Sequence, residues 1–187
     1  VRKIKGFKLT LRPHEVKRRA KKSRIDLEAE GLSDPVLAIF LERAAKSLVP
    51  GVVFDTFGHP DPDQPLLSPM PGLAYSLILA SLGDAFAPLK ATEAAIPAGL
   101  WTILEEHALD EAVRFASGLL ADEAEKDGCE LSPLTPLVEL GALAAALRKL
   151  DGAEKLGVSV EDGKLFPTAS LIVSQSWLAK SKAKGRK

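Results

Sequence analysis

Five prolines, at 60, 62, 65, 69 and 71, fall within twelve residues of this chain. Proline lacks the backbone N–H and fixes φ, so this stretch can be neither a helix interior nor a central strand. Gly58 and Gly72 bracket it, and apolar runs flank it on both sides, Val52-Val-Phe54 with Phe57 before and Leu73 to Leu82 after. Runs of that length closed by turn residues read as buried strands, here over 50–57 and 73–82. The residues between them form a long, stiff loop, a type of segment that is often functional.

The rest of the chain is organised around that pair. From Phe7 onward, Phe7, Leu9 and Leu11 alternate with Lys8, Thr10 and Arg12, which predicts a half-buried strand over 4–11. Pro13 suits a first helical turn, and Glu15 favours the positive helix start, so a surface helix follows over 13–24. Asp34-Pro35 reads as N-cap and first helical position of a helix over 34–48, with Leu37, Phe40, Leu41, Ala44 and Leu48 on its buried face. A long helix is expected over 97–126, with Trp101, Leu104, Ala108, Ala112 and Phe115 on one face, and another over 136–150 after Thr135-Pro136. Asp162-Gly163 between Val158-Ser-Val160 and Lys164-Leu-Phe166 is a hairpin signal over 157–166. A last strand is expected over 169–175. This order predicts an α+β fold, a curved antiparallel or mixed sheet covered by helices, in one domain over 1–179 with a basic solvated tail over 180–187.

Composition narrows the function classes. The single cysteine, Cys129, excludes an internal disulfide and any zinc site needing two cysteines, and suits a cytoplasmic protein. The basic N-terminus lacks the apolar core of a signal peptide, and no run approaches the ~20 apolar residues of a membrane helix. Net charge is zero but segregated: residues 1–24 hold eleven Lys or Arg against one acid, and 180–187 hold five bases and no acid. Lys17, Arg18, Arg19, Lys21 and Lys22 are therefore candidates for contact with an anion or an acidic partner, although a solvated helix face explains the same pattern. Two Trp and one Tyr make a base-stacking platform hard to assemble, which leaves nucleic-acid binding a minor option.

No phosphate-binding glycine loop and no nucleophile elbow is present. His14, His59, His107 and Cys129 have no metal-ligand spacing, so neither a catalytic residue nor a metal site is assigned, and the reading leans away from an enzyme. Asp55, His59 and Asp61, at a strand exit and in the loop, together with Cys129, Ser132 and Pro133, are the ligand-binding candidates. Turn chemistry beside proline and a small buried thiol are the plain alternatives. The Gly58–Pro71 and Glu130–Pro136 loops are expected at one rim of the sheet, flanking a groove floored by Phe54, Phe57 and Leu82.

Several segments in order resemble the activation (reactivation) domain of vitamin B12-dependent methionine synthase and its stand-alone relatives. They are Leu11-Arg-Pro-His-Glu-Val16, Leu48-Val-Pro-Gly-Val-Val-Phe54, Ala80-Ser-Leu-Gly83, Ala108-Leu-Asp110, Lys155-Leu-Gly-Val-Ser159 and Phe166-Pro-Thr-Ala-Ser170. The resemblance implies an accessory domain that docks on a corrinoid protein, with cobalamin carried by that partner. It also implies a loop of the Arg-x-x-Pro-Gly-Tyr type that contacts S-adenosylmethionine. The corresponding stretch here, Glu130-Leu-Ser-Pro-Leu-Thr-Pro136, has no Arg, Gly or Tyr. Without Gly, close backbone approach is hindered, and without Arg a carboxylate loses its bidentate partner. The rival readings are an S-adenosylmethionine-binding methyl-transfer component and an anionic-surface or nucleic-acid binder working through the basic ends.

Overall fold

The computed structural model describes residues 1–84 and 86–180. Its fold is α+β, built on an open antiparallel sheet. The strands are β1 (Arg2–Lys5), β2 (Gly51–Gly58), β3 (Ala74–Ser81), β4 (Cys129–Leu131), β5 (Thr135–Pro136) and β8 (Ser170–Ala179). They run in the order β1-β2-β3-β8-β4, with β5 also on β8. Their register follows from the apolar runs: Gly51 pairs with Ser81 and Gly58 with Ala74, so the proline-rich segment closes a long antiparallel pair.

Side chains alternate across a strand, so each run supplies two cores. Val52, Phe54, Ile78, Ala80, Val173 and Trp177 face α5 (Ala98–Lys126). Val53, Tyr75, Leu77, Leu79 and Ile172 face α6 (Leu140–Leu150). Helix α5 buries Leu100, Leu104, Ala108, Ala112, Ala116 and Leu120 at four-residue spacing. Each buried leucine contributes roughly 1.5–3 kcal/mol. Gly128 ends α5 at φ +69°, donating its N–H to Glu125 O (3.1 Å). Outside α5 lie α1 (Pro13–Lys22) and α2 (Asp34–Ser47), with Phe40 edge-on to Trp101 at 5.5 Å.

The structure differs from the sequence reading at six points. The expected strand over 4–11 is a strand only to Lys5, where its partner β2 begins at Gly51 and Gly6 (φ +68°) turns the chain. The helix over 13–24 stops at Lys22. Ser33, not Asp34, is the N-cap residue of α2, which leaves Asp34 and Pro35 in its first turn. The helix expected from 136 starts at Leu140, because Thr135-Pro136 pair with Ser174 and Val173 and Leu137 N–H still donates to Ile172 O (2.9 Å). The hairpin forms as β6 (Ser159–Glu161) and β7 (Lys164–Phe166), but as a separate two-stranded sheet. Strand β8 runs four residues past its expected end at 175, because Ser174, Gln175 and Ser176 are buried, and Gln175 and Ser176 are hydrogen-bonded to Ser132, although they interrupt the apolar run. Short helices α3 (Gln64–Leu67), α4 (Ala87–Thr92) and α7 (Gly152–Leu156) complete the fold. Of the basic tail over 180–187, residues 181–187 lie outside the described residues; Lys180 donates its N–H to Gly128 O (3.2 Å).

Candidate functional site

The two proline-rich loops lie side by side on the α6 face of the sheet, both held by Ser176 of β8. Ser176 Oγ donates to Met70 O (2.7 Å) and accepts from Met70 N–H (3.2 Å). Ser132 N–H donates to Ser176 O and Ser176 N–H to Ser132 Oγ, both at 2.9 Å. Between the loops runs a groove of about 270 Å³, lined by Pro65, Leu66, Ser68, Pro136, Val138 and Ser174. The expected floor of Phe54, Phe57 and Leu82 is a correction: Phe54 and Leu82 belong to the α5 core, whereas Phe57 packs on the α6 core. Residues 54 and 57 differ by an odd number, so one strand presents them to opposite faces.

Asp61 is the centre of a polar network at this rim. Its Oδ2 accepts from Tyr75 Oη and from Lys149 Nζ, each at 2.8 Å, and its Oδ1 accepts from Asp63 N–H at 2.9 Å. Lys149 Nζ also lies 3.5 Å from Asp63 and 5.1 Å from the Phe57 ring centre. Burial pushes the Asp61 carboxyl up, but Lys149, the Asp63 amide and Tyr75 together hold it below the usual range. Burial and the adjacent Asp61 push the Tyr75 hydroxyl well above its ordinary value. With Arg148 of α6 lying 3.4 Å from Asp63, two carboxylates of the loop face two cations of α6, which ties the loop to that helix. His59 is exposed, with its ring 6.4 Å from that of Tyr75.

Asp55 and Cys129 fall elsewhere, in a shallow groove of about 820 Å³ at the C-terminal end of α5 that Thr56, Glu123, Lys126 and Trp177 also line. Cys129 is 6% exposed and packs in the α5 core. Beside it Trp177 Nε1 donates to Ser76 Oγ (2.7 Å), which pairs with Thr56 Oγ1 (2.8 Å). Ser132 is buried and Pro133 exposed. Ser132 O accepts from Gln175 Nε2 (3.0 Å), whose Oε1 accepts from Ser117 Oγ of α5 (2.9 Å). The whole Ser132 residue is thus engaged in holding the loop to β8, and no cation stands in Glu130–Pro136.

The basic candidates on α1 are largely neutralised within the chain. Arg18 and Arg19 both donate to Glu15, Arg19 reaches Asp110 (2.6 Å), and Lys17 pairs with Asp34. Hydrogen bonds from Arg18 and Arg19 hold the Glu15 carboxyl far below its usual range. Lys21 and Lys22 are exposed and have no ion pair among the described residues. Beneath α1, His107 is 1% exposed; its Nε2 accepts from Arg12 N–H (3.1 Å) and its Nδ1 has no partner among the described residues. Burial lowers its pKa, with Arg19 acting the same way and Glu111, Glu15 and Asp110 opposing.

Sequence reasoning missed Tyr75, Lys149 and Ser176. Tyr75 lay inside an apolar run, Lys149 on an ordinary helix, and Ser176 in a stretch that no motif marks; Lys149 alone had a signal, being polar between Leu147 and Leu150. Among the described residues no group of three or more His, Cys, Asp or Glu is arranged to hold a metal ion, and no helix is long and apolar enough to cross a membrane. Compared with known proteins, the chain matches no family model and no curated protein.

Proposed function

We propose that this chain is an accessory, activation-type domain of corrinoid-dependent methyl transfer, which docks on a corrinoid protein and carries no catalytic group of its own. One observation carries the reading: segments far apart in sequence that resemble the methionine synthase activation domain meet at one end of the sheet. Gly51 pairs with Ser81, and Ser81 pairs with Ser170. Ser170 Oγ donates to Ser81 Oγ and Leu82 N–H to Ala169 O, both at 2.9 Å. A Cβ at Gly51 would stand 2.7 Å from Leu156 Cδ2, so the Lys155–Ser159 segment packs directly on the Leu48–Phe54 one.

The S-adenosylmethionine-using alternative is weaker because the loop that would hold the ligand spends Ser132 on its own sheet. The anionic-surface alternative is weaker because Lys17, Arg18 and Arg19 are paired internally. Calorimetric titration separates the readings. Heat from a cobalamin-loaded corrinoid protein of the same genomic neighbourhood, with none from S-adenosylmethionine, supports the accessory role. Saturable heat from S-adenosylmethionine alone moves the assignment to the methyl-transfer component.

A further inference from the structure

We propose that the extended segment Phe7–Leu11 is a docking edge for an acidic, extended segment of a partner protein, which lies between this segment and α2. The segment keeps the alternation of a strand: Leu9 and Leu11 are buried, Phe7 is half-buried, and Lys8, Thr10 and Arg12 are exposed. Among the described residues no strand lies beside it. Gly6 N–H donates to Pro50 O (2.9 Å), which closes the pairing with β2, and no backbone N–H or C=O of Phe7–Leu11 is hydrogen-bonded among the described residues. Phe7 stacks on Phe115 of α5 (4.3 Å) and Arg12 N–H is tied to His107, so both ends of the segment are anchored.

Against its free edge lies a groove of about 610 Å³, with Leu9 and Leu11 on one wall and Ala38, Leu41 and Ala45 of α2 on the other. A free edge of this kind is a ready template for strand addition, in which the main chain supplies affinity and alternate side-chain pockets supply specificity. The rim selects the partner's charge. Among the described residues Lys46 on this rim is paired with Glu42 (2.7 Å), which leaves Lys8 as the rim lysine without an ion pair. Lysine on an open edge discourages pairing with apolar strands, and the same lysine attracts an acidic one. This edge operates whether or not the partner carries a corrinoid.

The probe is an N-acetylated heptapeptide in which Asp or Glu alternates with Val, titrated into the whole chain and followed by amide hydrogen exchange. Slowed exchange at alternate amides within Phe7–Leu11 is expected, with affinity several-fold weaker in K8E. Lys8 is exposed and has no ion pair among the described residues, so the circular dichroism of K8E is expected to match the parent. The proposal is overturned if protection appears elsewhere, if a Thr/Val peptide binds as tightly, or if K8E binds unchanged. It is also overturned if the chain alone dimerises with these amides already protected.

Discussion

Ser132 and Ser176 hold each other through two hydrogen bonds of 2.9 Å, Ser132 N–H to Ser176 O and Ser176 N–H to Ser132 Oγ. The second face of Ser176 holds Met70, so one buried serine joins the edge of the sheet to the proline-rich loop. In Ser176→Ala the Met70 amide loses its partner, while Met70 O keeps only the Ser68 Oγ donor (2.8 Å). A stability loss of about 1–3 kcal/mol in urea is expected, with faster amide exchange confined to residues 66–72. Unchanged exchange there means that the loop is held by other contacts.

The Asp61 network gives a pH signature. Its carboxyl is depressed in the folded state, so its stabilising contribution is complete above the unfolded value of about 3.9 and is lost as pH falls through the lower folded value. Lys149→Met removes the cation and leaves a carboxylate whose side chain is 9% exposed. A loss of about 2 kcal/mol at pH 7 is expected, shrinking toward pH 3 as Asp61 protonates. Urea midpoints at the two pH values check it; an equal loss at both excludes the ionic account.

His107 acts in a different window. Its folded pKa is lowered, so the neutral form is the native one; its contribution is complete above about pH 6.5 and falls as pH drops below that value. The groups facing it are Glu15 and Arg19 from α1, Asp110 and Glu111 from α5, and the Arg12 amide. His107→Gln keeps an acceptor for that amide without the titration. The midpoint difference between pH 7.5 and 5.5 should therefore be smaller in the variant than in the parent; an equal difference assigns the titration to other groups.

Gly72 tests the meeting of loop and strand. A Cβ there would lie 2.5 Å from Trp177 O, a backbone atom that cannot swing aside. Gly72→Ala should cost about 1–3 kcal/mol. A neutral result in thermal unfolding would mean that the β3–β8 contact yields locally.

The fold was legible where one period covered a whole element. Leu100 to Leu120 repeat at helical spacing and α5 appears within a residue of expectation, and the Val52 and Leu77 runs appear as adjacent strands. Local pattern failed where tertiary pairing decided. Phe7–Leu11 has a strand's alternation but no partner strand among the described residues, and Thr135-Pro136 has a helix-start signature but lies on β8. The candidate site was legible as loops and not as chemistry. Proline marked the two segments that meet, whereas Tyr75, Lys149 and Ser176 act through contacts across 14, 88 and 44 residues that no local spacing encodes.

The docking role itself is tested by sedimentation velocity of the chain mixed with a cobalamin-loaded corrinoid protein from the same genomic neighbourhood, followed at a cobalamin absorption band. The account predicts a faster-sedimenting cobalamin boundary that saturates at one chain per corrinoid module and is insensitive to added S-adenosylmethionine. A cobalamin boundary that sediments at the same rate with and without the chain, across micromolar concentrations, would contradict it.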